Sequence, residues 1–136
     1  MILLDTNIIS QSMRPNGDPA VLAWLDAQAV ETLYLSTITV AELRFGVAAL
    51  PIGARRQTLR RELDERLLPI FAGRILPFCL AAADAYGDLR ARARAAGKAI
   101  PTADGYIAAI AVAHGLAVAT RDRNPFAAAG LAVITP

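Results

Sequence analysis

Met1-Ile2-Leu3-Leu4-Asp5-Thr6-Asn7 opens the chain and decides how the remainder is read. Ile2, Leu3 and Leu4 leave no polar position to mark a solvent face. The stretch therefore fits a short strand buried on both sides, as in the middle of a parallel sheet covered by helices. Asp5 stands where that strand ends, with two more polar residues behind it. Open α/β sheets bind ligands just outside the carboxyl ends of their strands. The question for the residues that follow is whether other acids reach the same edge.

Downstream, strands and helices alternate. Arg14-Pro15-Asn16-Gly17-Asp18-Pro19 forms turns, and Asp18 before Pro19 suits an N-cap and a first helical residue. The helix it opens carries Val21, Leu22, Leu25 and Ala29 as a stripe, with Trp24 beside them. A strand is predicted near Leu33 to Ile38, then a helix from Thr39 to about Leu50, stopped by Pro51 and Gly53. The next helix, Ala54 to Leu68, has Leu59, Leu63 and Leu67 at helical spacing, a stripe that suits core or interface, as does Trp24. Arg61–Glu65 and Glu62–Arg66 are spaced to pair on it. A short strand, Arg74 to Phe78, precedes a long helix, Leu80 to Ala96, with Tyr86, Leu89 and Ala93 inward. Thr102 to His114 is helical and ended by Gly115. Leu116 to Thr120 is a fourth strand, Pro125 to Ala129 a short helix, and Leu131 to Ile134 a last strand. This order predicts one α/β domain over residues 1–136, a central parallel sheet flanked by helices with right-handed crossovers.

Composition removes several function classes. With 136 residues, 55% hydrophobic and 19% charged, the chain can bury a core and order itself. Cys79 and His114 are each the only residue of their type, which excludes an internal disulfide, a cysteine metal cluster and His-rich zinc sites. His114 is left as the one candidate for a Ser-His-Asp or Cys-His arrangement, and enzyme chemistry is expected to rest on carboxylates. The longest apolar run, Tyr106 to Ala119, is broken by His114 and Gly115 and falls short of the ~18 residues of a membrane span. No basic stretch precedes an apolar one at the start, so a cytoplasmic protein is expected. Of the 14 basic residues only Lys98 is lysine. Arginine bonds two phosphate oxygens at once, although GC-rich codon usage accounts equally for the arginine and alanine excess. Arg55, Arg56, Arg60 and Arg66 surround the leucine stripe, as a solvated face or as an RNA or partner contact.

Four acids stand at special places. Asp5 ends the first strand, Glu42 lies in the first turn of the helix after the second, Asp104 in the first turn of the helix from Thr102, and Asp122 two residues past the fourth strand. Each has an ordinary structural role open to it. Asp5 suits an N-cap, Thr39-x-x-Glu42 has capping-box spacing, Asp104 suits a first helical turn, and Asp122 suits a solvated loop. Together they weigh more than singly. Four carboxylates on one edge repel each other unless protonated or bound to a cation, and oxygen-only ligation suits Mg²⁺ or Mn²⁺. One or two such ions polarise a phosphoryl oxygen and acidify water, which is phosphodiester hydrolysis. Rival readings lack their residues. No G-x-G-x-x-G or Walker loop is present, the second Asp of haloacid-dehalogenase-like hydrolases is replaced by Asn7, and the single lysine lies in the loop before Pro101, away from a receiver-like pocket.

Leu4-Asp5-Thr6-Asn7, Thr39-Val40-Ala41-Glu42-Leu43, Ala103-Asp104-Gly105-Tyr106-Ile107-Ala108-Ala109 and Ala119-Thr120-Arg121-Asp122 resemble the PIN-domain ribonucleases. More narrowly they resemble the VapC-like toxins of type II toxin–antitoxin systems, and among those the FitB-type proteins. The similarity extends through Ala72-Gly73-Arg74-Ile75-Leu76-Pro77-Phe78 and the closing Val133-Ile134-Thr135-Pro136. The resemblance implies a PIN-like fold and Mg²⁺- or Mn²⁺-dependent RNA cleavage by metal-activated water. It carries over to Asp5, Glu42, Asp104 and Asp122 as catalytic metal ligands, with Thr6, Asn7 and Thr120 in support. It also implies a homodimer, an inhibiting antitoxin in a hetero-oligomer, and operator DNA bound only through that antitoxin. An alternative role follows from the same resemblance: a weakly catalytic or non-catalytic module acting through the antitoxin and operator complex. Two positions depart from many relatives. Pro125 stands before Phe126 where an acid is common, which leaves no fifth acid, and Cys79 replaces an Asp.

Overall fold

The computed structural model describes residues 1–136. Five parallel strands form one sheet in the order β3-β2-β1-β4-β5. They are β1 (Ile2–Leu4), β2 (Leu33–Ser36), β3 (Ile75–Leu76), β4 (Ala117–Ala119) and β5 (Val133–Ile134). β1 is central, pairing Leu3 with Tyr34 on one side and with Val118 on the other. Its successive side chains serve opposite faces, as the period of a strand requires. Leu3 packs with Leu89, Ile107, Ile110, Val118 and Phe126. Leu4 packs with Ile8, Val21, Leu35, Leu43, Leu63 and Leu67. Both leucines are fully buried, which explains why β1 has no polar face.

The helices covering these faces are α1 (Thr6–Ile9), α2 (Pro19–Asp26), α3 (Thr37–Ala48), α4 (Ala54–Arg61), α5 (Leu68–Ile70), α6 (Leu80–Ala95), α7 (Thr102–His114) and α8 (Arg123–Ala128). Between α4 and α5 the helix widens into a π turn over Glu62–Leu67. α1 was not predicted: four residues hold no readable period, and Asp5 starts the turn by capping it. α3 begins two residues earlier than Thr39 because Ser36, not Thr39, is the N-cap; its Oγ accepts from the Thr39 amide at 3.0 Å. The predicted second strand accordingly stops at Ser36 rather than Ile38. Ala29 lies past the end of α2, and Leu63 and Leu67 join the core while Leu59 is half-buried. Trp24 packs half-buried against the same core. Of the two spaced ion pairs, Arg66–Glu62 closes and Arg61–Glu65 does not; Arg44 reaches Asp64 at 2.6 Å instead. α7 ends as predicted, with Gly115 in the left-handed conformation (φ 67°) that a side chain disfavours. No helix is long and apolar enough to cross a membrane.

β1 connects to β2 on one flank, whereas β4 connects to β5 on the other. The carboxyl ends of β1 and β4 therefore border a topological switch point, where α/β sheets open a crevice.

Candidate active site

Asp5 follows β1 and Thr120 follows β4, so strand pairing alone brings them together. Asp5 is buried, at 4% exposure. Its Oδ1 accepts from the Thr6 amide at 2.8 Å and its Oδ2 from the Thr120 hydroxyl at 2.8 Å. The capping role and the site role are thus the same geometry: one carboxylate oxygen starts α1 while the other is tied to β4. Having given its proton to Asp5, the Thr120 oxygen accepts from the Asp122 amide at 3.0 Å and from Asn7 Nδ2 at 3.4 Å. Asn7 Oδ1 in turn accepts from the Arg121 amide at 3.0 Å. Asn7 and Thr120 so lace the two strand ends and fix the turn that carries Asp122.

Glu42 arrives from the other side. With Ser36 as cap, Glu42 falls beyond the first turn of α3, and the capping-box reading is overturned. Its Oε1 accepts from the Thr6 hydroxyl at 2.7 Å. One hydroxyl holds one proton, so the Thr39 hydroxyl, 3.1 Å from that of Thr6, acts as donor to it. Thr39, buried three residues before Glu42 on the same helix face, is the supporting residue that sequence reasoning missed. Its spacing from Glu42 was the available signal, spent on the capping box.

Asp104 reaches the edge because α7 packs against α6 and starts at the carboxyl side. Gly105 permits that approach: a Cβ there would meet the Tyr86 ring at 3.0 Å. Burial pushes the Asp104 carboxyl up to about 6, with further upward pressure from the charges of Asp5, Asp122 and Glu42. The Asp5 carboxyl is also raised, first by burial and then by Glu42 and Asp122, against the lowering effect of its bonds to Thr120 and Thr6. All four predicted acids are therefore electrostatic neighbours.

The donor set fits a hard divalent cation: oxygen only, anionic, and mutually repulsive without one. The carboxylates stand apart as placed, and no three of the His, Cys, Asp and Glu side chains are close enough to grip one ion together. Asp5 is held by its two hydrogen bonds and Glu42 by the one from the Thr6 hydroxyl, whereas the carboxylates of Asp104 and Asp122 have no hydrogen-bond partner.

Sheet order and site define an α/β protein with an acidic centre at its switch point. The PIN domain family matches residues 2–131. A VapC ribonuclease of Sinorhizobium fredii is 60% identical over all of this chain and 97% of its own length. Toxin FitB of Neisseria gonorrhoeae is 53% identical over all of this chain and 98% of its own. The crystal structure of FitAcB from the same organism superposes with a TM-score of 0.97 at 53% identity, covering 100% of this chain and 98% of that one. The chain belongs to the PIN-domain family and, within it, to the VapC- and FitB-like toxins.

Proposed function

We propose that the chain is a divalent-metal-dependent endoribonuclease, the toxin of a toxin–antitoxin pair. One observation carries this reading: a buried, hydrogen-bonded Asp5 shares the switch-point edge with Asp104, Asp122 and Glu42, and the Asp104 carboxyl is raised to about 6, first by burial and then by the charges of those acids. Asp5, Asp104 and Asp122 would hold a Mg²⁺ or Mn²⁺ ion, with Glu42 completing the set or orienting water, and the chemistry supplied would be polarisation of a phosphoryl oxygen and of water. Thr6 and Thr120 keep Asp5 oriented. Thr6 engages Oε1 of Glu42 and leaves Oε2 to orient a water. Asn7 holds the Thr120–Asp122 turn against β1. The 60% identical relative is named a ribonuclease, which supports RNA as substrate. The solved relatives include toxin–antitoxin complexes with DNA. An antitoxin partner, and operator DNA engaged through it, follow for this chain by that likeness. The largely exposed Phe45, Ile52 and Leu80 offer apolar surface for a homodimer or hetero-oligomer to cover.

Antitoxin-free protein incubated with total cellular RNA in EDTA, Mg²⁺ and Mn²⁺ tests the reading. Cleavage is expected with either ion and not in EDTA. Asp5→Asn should lower it by about 100-fold or more with the far-UV circular dichroism unchanged; undiminished cleavage by that variant would remove Asp5 from the mechanism. A second reading, a module that acts through the antitoxin complex with little cleavage, is favoured by the solved relatives that are toxin–antitoxin complexes bound to DNA. Inactivity of the isolated protein in both ions, with ion binding retained, is its signature.

A further inference from the structure

An open groove of about 930 Å³ lies between the second half of α6 and the 97–100 loop, lined by Tyr86, Arg90, Arg94, Lys98 and Ile100 with small residues between them. It holds three cations and no acid. Arg90 is anchored: its Nη1 donates to the Tyr86 hydroxyl at 2.9 Å, and its guanidinium stands 5.5 Å from that ring's centre. Arg94 and Lys98 make no ion pair. Arg90 and Arg94 are four apart on one helix, a like-charge spacing that costs stability rather than adding it. Arg94 does gain from the negative end of α6, in whose last turn it lies. That gain does not extend to Lys98, which lies past the helix end, or explain why both cations line one open groove. An anionic ligand would account for the whole arrangement.

The groove is joined to the acidic site through covalent and packed contacts. Ile100, in its wall, is four residues from Asp104, at most about 14 Å along an extended chain. Tyr86, in its floor, packs on Tyr106 with ring centres 4.9 Å apart and abuts Gly105. The two neighbours of Asp104 on its C-terminal side thus rest on the groove's aromatic residue. We infer that the groove bounded by Arg90, Arg94 and Lys98 holds the phosphate backbone of a single RNA strand and leads it to Asp104. This rests on the ribonuclease reading above and adds where the strand lies. Arg94 and Lys98 are positioning residues, each neutralising a phosphate away from the cleaved bond. Arg90, spread over the Tyr86 ring, forms a planar edge for the adjoining nucleotide.

The test uses full-length protein carrying Asp5→Asn, so that binding is measured without cleavage, and an end-labelled short single-stranded RNA followed by fluorescence anisotropy between about 50 and 200 mM salt. Adding Arg94→Ala with Lys98→Ala should weaken binding by about 10-fold at the lower salt. It should also reduce the slope of log affinity against log salt by roughly 1.4, or about 0.7 for each lost phosphate contact. The charge-matched control, Arg61→Ala with Arg92→Ala, removes two exposed arginines that do not line the groove and should keep both affinity and slope. Equal loss in the two pairs would mean a general charge effect, and unchanged binding in the groove pair would leave the groove without RNA; either overturns the inference. Thermal unfolding of each variant separates a folding defect from lost contacts. Cleavage by the protein with Asp5 intact is read separately, so absence of nuclease activity and absence of groove binding are distinct results.

Discussion

Asp104 is the acid whose environment most clearly describes the site. In the metal-free protein its carboxyl titrates at about 6, whereas an ordinary aspartate does so at 3.8. The folded state thus binds a proton that the unfolded chain has already released across that interval, and stability falls as pH rises through it. Asp5 is shifted in the same direction. Solvent reaches Asp104, so screening holds its share to about 1 kcal/mol. In EDTA, Asp104→Asn should therefore match the unsubstituted protein near pH 4 and exceed its stability by about that amount at pH 7, as read from urea midpoints; a gap that does not grow with pH would mean that neither burial nor the neighbouring acids raise the Asp104 carboxyl. The four acids were legible in sequence because strand ends and helix starts of a parallel sheet share an edge. Their individual roles were less so. Glu42 satisfied a capping pattern that Ser36 fulfils in its place, and Asp104 depended on how the α6–α7 pair packs, which no local pattern encodes.

At the scale of elements, the junction of β2 and α3 matters most to the site, because it sets where Thr39 and Glu42 fall on the helix. Ser36 is completely buried and its hydroxyl is the side-chain partner of the Thr39 amide. Ser36→Ala leaves that donor without its cap and should cost about 1 kcal/mol. It should also loosen the hydroxyl chain from Thr39 through Thr6 to Glu42. Urea unfolding measures the first effect; the second appears as a larger loss of cleavage than Ala at an exposed position such as Thr37 produces. Elements with strong punctuation were readable to the residue: α7 runs from Thr102 to His114 because Pro101 precedes it and Gly115 follows. Where several polar residues could start a helix, as at Ser36, Thr37 and Thr39, sequence spacing could not choose among them. The choice was made by burial, since the hydroxyl of Ser36 is enclosed while Thr37 points to solvent.

For the whole molecule, the consequence of a two-sided sheet is that its two cores stand or fall together. Leu3 belongs to one and Leu4 to the other, adjacent on a strand that pairs with both β2 and β4. Losing either face removes the burial that keeps β1 in place, and with it Asp5 and the spacing of the acids. Trp24, the only tryptophan, packs against the Leu4 core. Ile107 is fully buried in the Leu3 core on the opposite face. Ile107→Ala removes buried methylenes and leaves a cavity, for a loss of about 2–5 kcal/mol. If β1 couples the faces, Trp24 fluorescence should report the whole of that loss from across the sheet, with a urea transition that coincides with the one seen by far-UV circular dichroism. A fluorescence transition that stayed at the unsubstituted midpoint while circular dichroism moved would show the layers unfolding separately. The strand that orients Asp5 would then owe its position to the Leu4 face alone.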